Sequence, residues 1–388
     1  MELQALRRTL LALVGTGKIS NLDHLSSSDW ARLDVLAAQH RLRPLLHAQH
    51  GGDDCVPAEV RTGWRNSHRH AALQAMQTRQ ELGECVHVLA DAGIEAVALK
   101  GAWLSAHAYP SPALRPMRDI DLLVPQSRVL DAYAALQAAG YTEAGPAEMP
   151  LDQIVLLDKH LPPLVAPRGT VVELHHRLWE PDGRLDHASP VEGTRHGIWR
   201  DTDGIAYLAP TETLAHLIVH AVYSHRLDCG PLLLPDIDYL LRAASIDWSN
   251  FWARANREGW RSGARLVLEL VNTYRPDAPI DFAQDQGPPP PAELLEGAPD
   301  LLLQDLETRR SAGLAAAAIK AGPAKLIQRI RGRRSARGEP EVTRDMAHEG
   351  GMIGWAGSRA WRSLTELSRA DVRRQSRQLA ALSTWLDR

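Results

Sequence analysis

The sequence predicts an α+β protein, a small mixed sheet flanked on both sides by helical regions. Three observations predict it. Apolar residues recur at helical spacing through residues 1–92. Residues 93–208 instead alternate short apolar runs with glycine and proline turns, the signature of short strands. Residues 209–282 return to helical spacing.

In the first region Leu6, Leu10, Leu11 and Val14 mark one helix face, and Gly15 and Gly17 stop it. Ser28-Asp29 can cap a second helix carrying Trp30, Leu33 and Leu36. A third helix is expected over residues 57–92, ended by Gly93. Residues 93–99 then read as a strand running into a turn at Lys100-Gly101, and residues 102–109 can start a helix. Residues 119–124 form a second strand. Ser127 can cap a helix over 128–139 that Gly140 ends. Residues 161–166 and 170–174 are apolar runs joined by Pro167-Arg168-Gly169, a hairpin signal. Loops are expected over 179–204, and Pro210-Thr211-Glu212 starts a helix with Thr211 as cap and Leu214, Ile218 and Ala221 on one face. The run Pro288-Pro289-Pro290-Pro291 can be neither helix nor central strand and reads as a stiff exposed connection. Beyond it, Trp361, Leu364, Leu367, Leu379, Leu382 and Trp385 suggest a mostly helical extension. Four regions result: 1–92 helical, 93–208 the core, 209–282 a helical region over the core's cleft, and 283–388 the extension.

At 388 residues the chain can bury a sizeable core, and its net charge of only −3 creates no global field for nucleic acid or membrane. Three cysteines far apart give neither a disulfide framework nor zinc spacing. The amino terminus lacks a signal-peptide pattern and no run approaches a membrane span, so a cytoplasmic setting is expected.

Chemistry concentrates in Arg118-Asp119-Ile120-Asp121-Leu122-Leu123-Val124. In a strand Asp119 and Asp121 share one face about 6–7 Å apart, while Ile120, Leu122 and Val124 point inward. Two like charges held together suit a divalent cation with hard oxygen ligands, Mg2+ or Mn2+ bridging to phosphates. The glycine turn just upstream lets a phosphate approach the backbone, and Lys100 adds a positive charge. Glu173 lies between two apolar residues of its own strand and is a third acid; Asp152 and Asp158 compete with it from a less regular segment. Arg115 and Arg118 precede the acid pair and can also meet phosphates.

Asp236-Ile237-Asp238 repeats the acidic spacing, but Pro235 and the apolar pattern place it at a helix start, where positions i and i+2 do not share a face. It is therefore not a second metal pair. Asp236 either lines the cleft or caps the helix. Of the 17 histidines, His216 and His220 lie one helical turn apart, yet no acid completes a zinc motif. Core roles are expected for these. His175 differs, since it follows Glu173 on the same strand face. The basic stretch 325–337 is interleaved with glycine and serine and reads as a solvated loop.

Leu99-Lys100-Gly101-Ala102, Tyr109-Pro110, Leu114-Arg115, the Asp119–Val124 strand, Gly140-Tyr141 and Val172-Glu173-Leu174-His175 together resemble a bacterial family of uncharacterised nucleotidyltransferases within the polymerase-beta-like superfamily. The resemblance covers roughly residues 35–255, with His40-Arg41-Leu42-Arg43-Pro44 near its start. Two departures from the superfamily stand out: Ala102 replaces a small hydroxyl residue, and the gap from Gly101 to Asp119 is longer. The resemblance implies transfer of an NMP from an NTP, with ATP expected, and release of pyrophosphate. It implies a two-metal mechanism, with Asp119, Asp121 and Glu173 as catalytic ligands of two Mg2+ or Mn2+ ions. It implies Lys100, Gly101, Arg115 and Asp236 as nucleotide-binding residues, with Asp236 on a helix facing the site. The acceptor is unidentified, with a small molecule or peptide preferred over nucleic acid. The alternatives are a non-catalytic nucleotide-binding protein on the same fold and an RNA-end enzyme.

Overall fold

The computed structural model describes residues 1–16, 22–145, 147, 149–179, 197–304 and 370–387. These form two compact units. The first comprises Met1–His225 and Cys229–Pro290, the second Arg226–Asp228 and Pro291–Arg388. Their division falls within the four-proline run. Gly17, residues 180–196, the basic stretch 325–337, Trp361, Leu364 and Leu367 lie outside the described residues.

The first unit opens with four helices, α1 (Leu3–Val14), α2 (Ser27–Gln39), α3 (Arg43–His50) and α4 (Ala58–Asp91). The apolar face read for α1 is buried at Leu6, Leu10, Leu11 and Val14. The cap of α2 is Ser26, not Ser28: its hydroxyl accepts from the Asp29 N–H while the Asp29 carboxylate accepts from the Ser26 N–H, a reciprocal capping box. Helix α4 is 34 residues long and ends where Gly93 turns at φ +67°.

A seven-stranded sheet follows, in the order β3-β4-β5-β2-β1-β7-β6. Its strands are β1 (Val97–Ala98), β2 (Asp119–Leu123), β3 (Thr142–Glu143), β4 (Leu164–Val165), β5 (Val171–His175), β6 (Ile198–Arg200) and β7 (Ala206–Leu208). The pairs β2–β5 and β1–β7 are parallel and the others antiparallel, so the sheet is mixed. Only two residues of the 93–99 run pair as a strand. The hairpin at Pro167-Arg168-Gly169 joins β4 to β5, with Gly169 at φ +97°. Central strands β2 and β5 bury Ile120, Leu122, Val172 and Leu174.

Between β1 and β2 lie a turn of helix α5 (Gly101–Trp103), a π-helical turn Leu104–Ala108 and a 3-10 turn Pro112–Leu114. Helices α6 (Val129–Ala138) and α7 (Leu151–Leu157) lie between β2 and β4. Ser127 does not cap α6, because it sits inside a preceding 3-10 turn, Gln126–Arg128. After β7 come α8 (Pro210–Val219), α9 (Leu233–Ala243), α10 (Trp248–Arg257) and α11 (Arg261–Tyr274). Thr211 does not cap α8; its hydroxyl instead accepts from the Asp247 N–H at 3.1 Å. Trp64, Trp252 and Trp260 are the largest apolar side chains of this unit's core.

The second unit pairs α12 (Ala292–Leu302) with α13 (Ala370–Leu386). Gly297 faces Gln378 across this contact, where an added Cβ would meet it at 3.1 Å. Buried Asp300 accepts from Gln378 Nε2 at 3.2 Å.

Candidate functional site

The parallel register of β2 and β5 sets Asp121 opposite Glu173 and Leu123 opposite His175. Side chains alternate across a sheet, so Asp119, Asp121, Glu173 and His175 lie on one face. Adjacent strands are about 4.8 Å apart. Two carboxylates at that separation repel by about 1–3 kcal/mol at the dielectric of a protein surface. Nearby groups offset the repulsion. His175 Nε2 lies 2.8 Å from Asp121 Oδ1 and 3.5 Å from Glu173 Oε2, so one imidazole nitrogen bridges both acids. His175 is buried, and its Nδ1 has no hydrogen-bond partner among the described residues. His160 adds a second imidazole, 4.0 Å from Glu173 Oε2 and with its ring 5.1 Å from that of His175.

Lys100 enters from β1. Its Nζ is 3.2 Å from both carboxylate oxygens of Asp121. The turn that places it is tight: Leu99 N–H donates to Asp121 O at 3.0 Å, and Ala102 N–H donates to Leu99 O at 3.2 Å. Lys100 therefore sits at φ +46°, ψ −113°, the second position of a II′-type turn, which normally takes glycine. Holding a lysine there costs about 1–3 kcal/mol of backbone strain, a cost common at functional sites. Gly101 is needed for a different reason. A Cβ there would come within 2.9 Å of Met117 Sδ and 3.2 Å of Arg115 Nη1.

The electrostatics of the three acids diverge. Burial would raise the Asp121 carboxyl, but Lys100 and His175 hold it well below the usual carboxylate range. Glu173 is also lowered, first by His175, against burial and the charge of Asp121. Asp119 moves the other way. Burial raises it, and so do the charges of Asp121 and Glu173. Asp121, Glu173 and His175 offer ligand atoms within 4.8 Å of one another, the metal-binding geometry found among the described residues. Asp119 shares their face but stands outside that group and is only partly buried. Asp152 and Asp158 are exposed, the first in α7 and the second at its end, and neither joins the Asp121 group.

Arg115 and Asp236 are brought together, but toward each other. Arg115 Nε and Nη2 donate to the two Asp236 oxygens, each at 2.9 Å. Tyr109 OH donates to Asp236 Oδ1 at 2.7 Å. Burial and the Asp236 charge push the Tyr109 hydroxyl far up, so it stays a donor. Asp236 lies in the first turn of α9 and does not cap it. Asp238 faces elsewhere, accepting from Arg242 Nε at 2.8 Å and from Arg275 Nε at 2.7 Å. The two carboxylates of this tripeptide thus serve different arginines.

His216 and His220 in and after α8 show strongly lowered affinity for protons, caused by burial and then by the Lys100 charge. Neither ring nitrogen of His216 has a hydrogen-bond partner among the described residues. Both are neutral, and neither joins the Asp121 group. His160 and Tyr109 carry contacts that the sequence did not reveal. His160 reaches the site through an isolated bridge to His175, which only the tertiary register creates.

A family model described as an uncharacterised nucleotidyltransferase matches residues 26–276, well over half of the chain. The chain belongs to this family. The matched span holds Lys100, Asp119, Asp121, Glu173, His175 and Asp236, and it ends before the proline run. Membership supports nucleotidyl transfer in general, with an NTP as substrate. No curated protein and no solved structure matches the chain. No described helix is long and apolar enough to cross a membrane.

Proposed function

We propose that this nucleotidyltransferase moves an NMP from an NTP, ATP in the first instance, to a hydroxyl-bearing or phosphate-bearing acceptor and releases pyrophosphate. The observation that carries the reading is the in-register pairing of Asp121 with Glu173, bridged by His175 and joined on the same face by Asp119. Three acids crowd one face with Lys100 ion-paired to Asp121 alone, a partly buried cluster whose mutual repulsion a divalent cation would offset. The donor set fits such an ion: hard carboxylate oxygens suit Mg2+ and Mn2+, and an imidazole is tolerated best by Mn2+. Asp121 and Glu173 would hold it, with Asp119 and His175 alongside. When bound, Mg2+ or Mn2+ would neutralise phosphate charge and sharpen the acceptor as nucleophile.

The chain's own residues supply the remainder. Lys100 Nζ, now on Asp121, is close enough to meet a phosphate oxygen when a cation takes over that carboxylate. Glu173, kept ionised by His175, is the group to accept the acceptor's proton. His175 orients both acids. Arg115, clamped on Asp236 and resting against Gly101, holds the glycine turn against α9. Most of the rate would come from positioning and charge neutralisation. The near-neutral chain favours a small-molecule or peptide acceptor over nucleic acid. The polymerase-beta-like superfamily is the placement this chemistry favours.

The test is incubation with each α-labelled NTP, Mg2+ and a bacterial extract, followed by separation of labelled products. Label should pass to a discrete acceptor, and transfer should stop with chelator or with Asp121→Asn. Absence of transfer from all four NTPs, or an Asp121→Asn variant as active as the parent, would contradict the reading.

A further inference from the structure

Helix α2 closes with two hydrogen bonds, Leu42 N–H to Ala37 O at 2.8 Å and Arg41 N–H to Ala38 O at 3.0 Å. This pairing is a Schellman motif, and it needs a left-handed residue at Arg41, which adopts φ +58°. Glycine is the usual occupant, because a side chain at that φ is strained. Among the described residues of the first unit, Arg41 and Lys100 are the non-glycine residues with positive φ, and both are cations. Lys100 has been placed on Asp121. Arg41 has no such explanation within the fold.

Its guanidinium reaches the same neighbourhood. Arg41 Nη1 donates to Pro116 O at 3.0 Å, the carbonyl that Arg115 Nη1 also approaches at 3.4 Å. Two guanidinium groups thus converge on one carbonyl, three residues before Asp119 and beside the Arg115 group that covers Gly101. Arg115 is neutralised by Asp236. Arg41 has no carboxylate within ion-pair distance among the described residues, and its buried Nε has no hydrogen-bond partner. The charged groups facing it are Arg115, Arg118, Asp119 and Asp236. Burial, then Arg115 and Arg118, lower it to about 10, so it remains a cation at neutral pH. A half-buried cation with no ion pair of its own, where Arg115 and Arg118 outweigh the more distant Asp119 and Asp236, is costly alone. It is stabilised when an anion enters. A guanidinium with open N–H groups matches phosphate oxygens in geometry and charge.

We propose that Arg41 is a binding residue for the phosphoanhydride chain of the nucleotide, gripping the phosphates that leave as pyrophosphate, on the side of the glycine turn opposite Asp121. The proposal rests on the nucleotidyl-transfer reading above and assigns it a residue far upstream of the core. Arg41 accounts for its own strain: the left-handed backbone aims the side chain at Pro116, where a glycine would leave nothing.

The strain also supplies the test. Arg41→Gly keeps the helix end in its preferred conformation and removes only the guanidinium. Binding of MgATP, inorganic pyrophosphate with Mg2+, and AMP is measured by calorimetry for parent and variant, together with Tm. The variant should show a Tm equal to or above the parent's. It should lose affinity for pyrophosphate and MgATP by about ten- to a hundredfold, the size of a charge-assisted hydrogen bond. AMP binding should change less than threefold. Unchanged affinity for pyrophosphate and MgATP would overturn the phosphate role and leave the nucleotide site standing. A lowered Tm would assign Arg41 to the fold instead and overturn the proposal. Equal losses for AMP and pyrophosphate would overturn its placement on the leaving phosphates. A parent that binds neither MgATP nor pyrophosphate would remove the nucleotide reading and this proposal together.

Discussion

The tripeptide Asp-Ile-Asp occurs twice in this chain, at 119–121 in strand β2 and at 236–238 in helix α9, and the two copies have opposite fates. In the strand, both acids share a face and meet Glu173 from the next strand. The direct partners there are Lys100 and the His175 imidazole, both on Asp121. In the helix, positions two apart diverge by about 200°. Asp236 turns to Arg115 and Tyr109, and Asp238 to Arg242 and Arg275. Each helical carboxylate is matched by at least one arginine. The same residues therefore make an open, charge-rich site in one backbone and a closed brace in the other. Secondary structure, not composition, decides which.

Breaking the brace should have the largest effect on stability. Arg275 is only 2% exposed, and its Nη1 also donates to Val14 O at 2.6 Å, tying α1 to the end of α11. Asp238→Ala leaves that charge buried and unpaired, at a cost of about 3–5 kcal/mol in urea unfolding. Asp121→Asn should cost less, since relief of repulsion from Glu173 offsets part of the lost pairing with Lys100 and His175. Equal destabilisation by the two variants would erase the distinction between brace and site.

Activity should reverse that ranking. Asp121→Asn should lower transfer by at least about a hundredfold, in the range of a lost electrostatic group at a reacting centre. Glu173→Gln should lose most of the rate yet keep NTP binding, because Asp119 and Asp121 remain. Single-turnover rates and NTP affinity separate these outcomes, and full activity of Glu173→Gln would remove it from the site.

Asp236→Asn is intermediate. It should cost about 1–3 kcal/mol, because Arg115 is more exposed than Arg275 and can find water. It should also loosen the turn that holds Lys100, which would show as a raised KM for NTP with a smaller change in kcat.

A pH dependence is confined to mildly acid conditions. Burial lowers His176 from its ordinary value of 6.5 to about 4, and His216 and His220 shift in the same direction. Below pH 6.5 the unfolded chain takes up protons that the folded one refuses, so stability falls as pH drops from about 6.5 toward 4. Each such histidine contributes up to about 1.4 kcal/mol per pH unit in that window. His176→Gln should flatten the Tm–pH curve between pH 7 and 5; an unchanged slope would show that other groups set it.

Much of the strand copy was legible in the sequence, and the reason is local. A two-residue period fixes which side chains share a face, so Asp119 with Asp121, and Glu173 with His175, could be paired within their own strands. The rejection of Asp236-Ile237-Asp238 rested on the same kind of geometry. What joins the strands was not legible. The register that sets Asp121 against Glu173, and the bridge that brings in His160, are long-range facts. The capping errors have a similar cause. Ser28, Ser127 and Thr211 all suit a cap, but Ser26 completes a better box, Ser127 falls inside a 3-10 turn, and Asp247 claims the Thr211 hydroxyl. Nor was it legible that a Cβ at Gly101 would meet Met117 and Arg115, a contact made across the turn.

The most direct measurement is Mn2+ binding, followed by EPR, for the parent and Asp121→Asn with matched circular dichroism. Saturable binding by the parent that weakens at least tenfold in the variant is expected if the strand copy of Asp-Ile-Asp, with Glu173, is a cation site. Equal Mn2+ affinity in both proteins, or no binding by the parent, would contradict it.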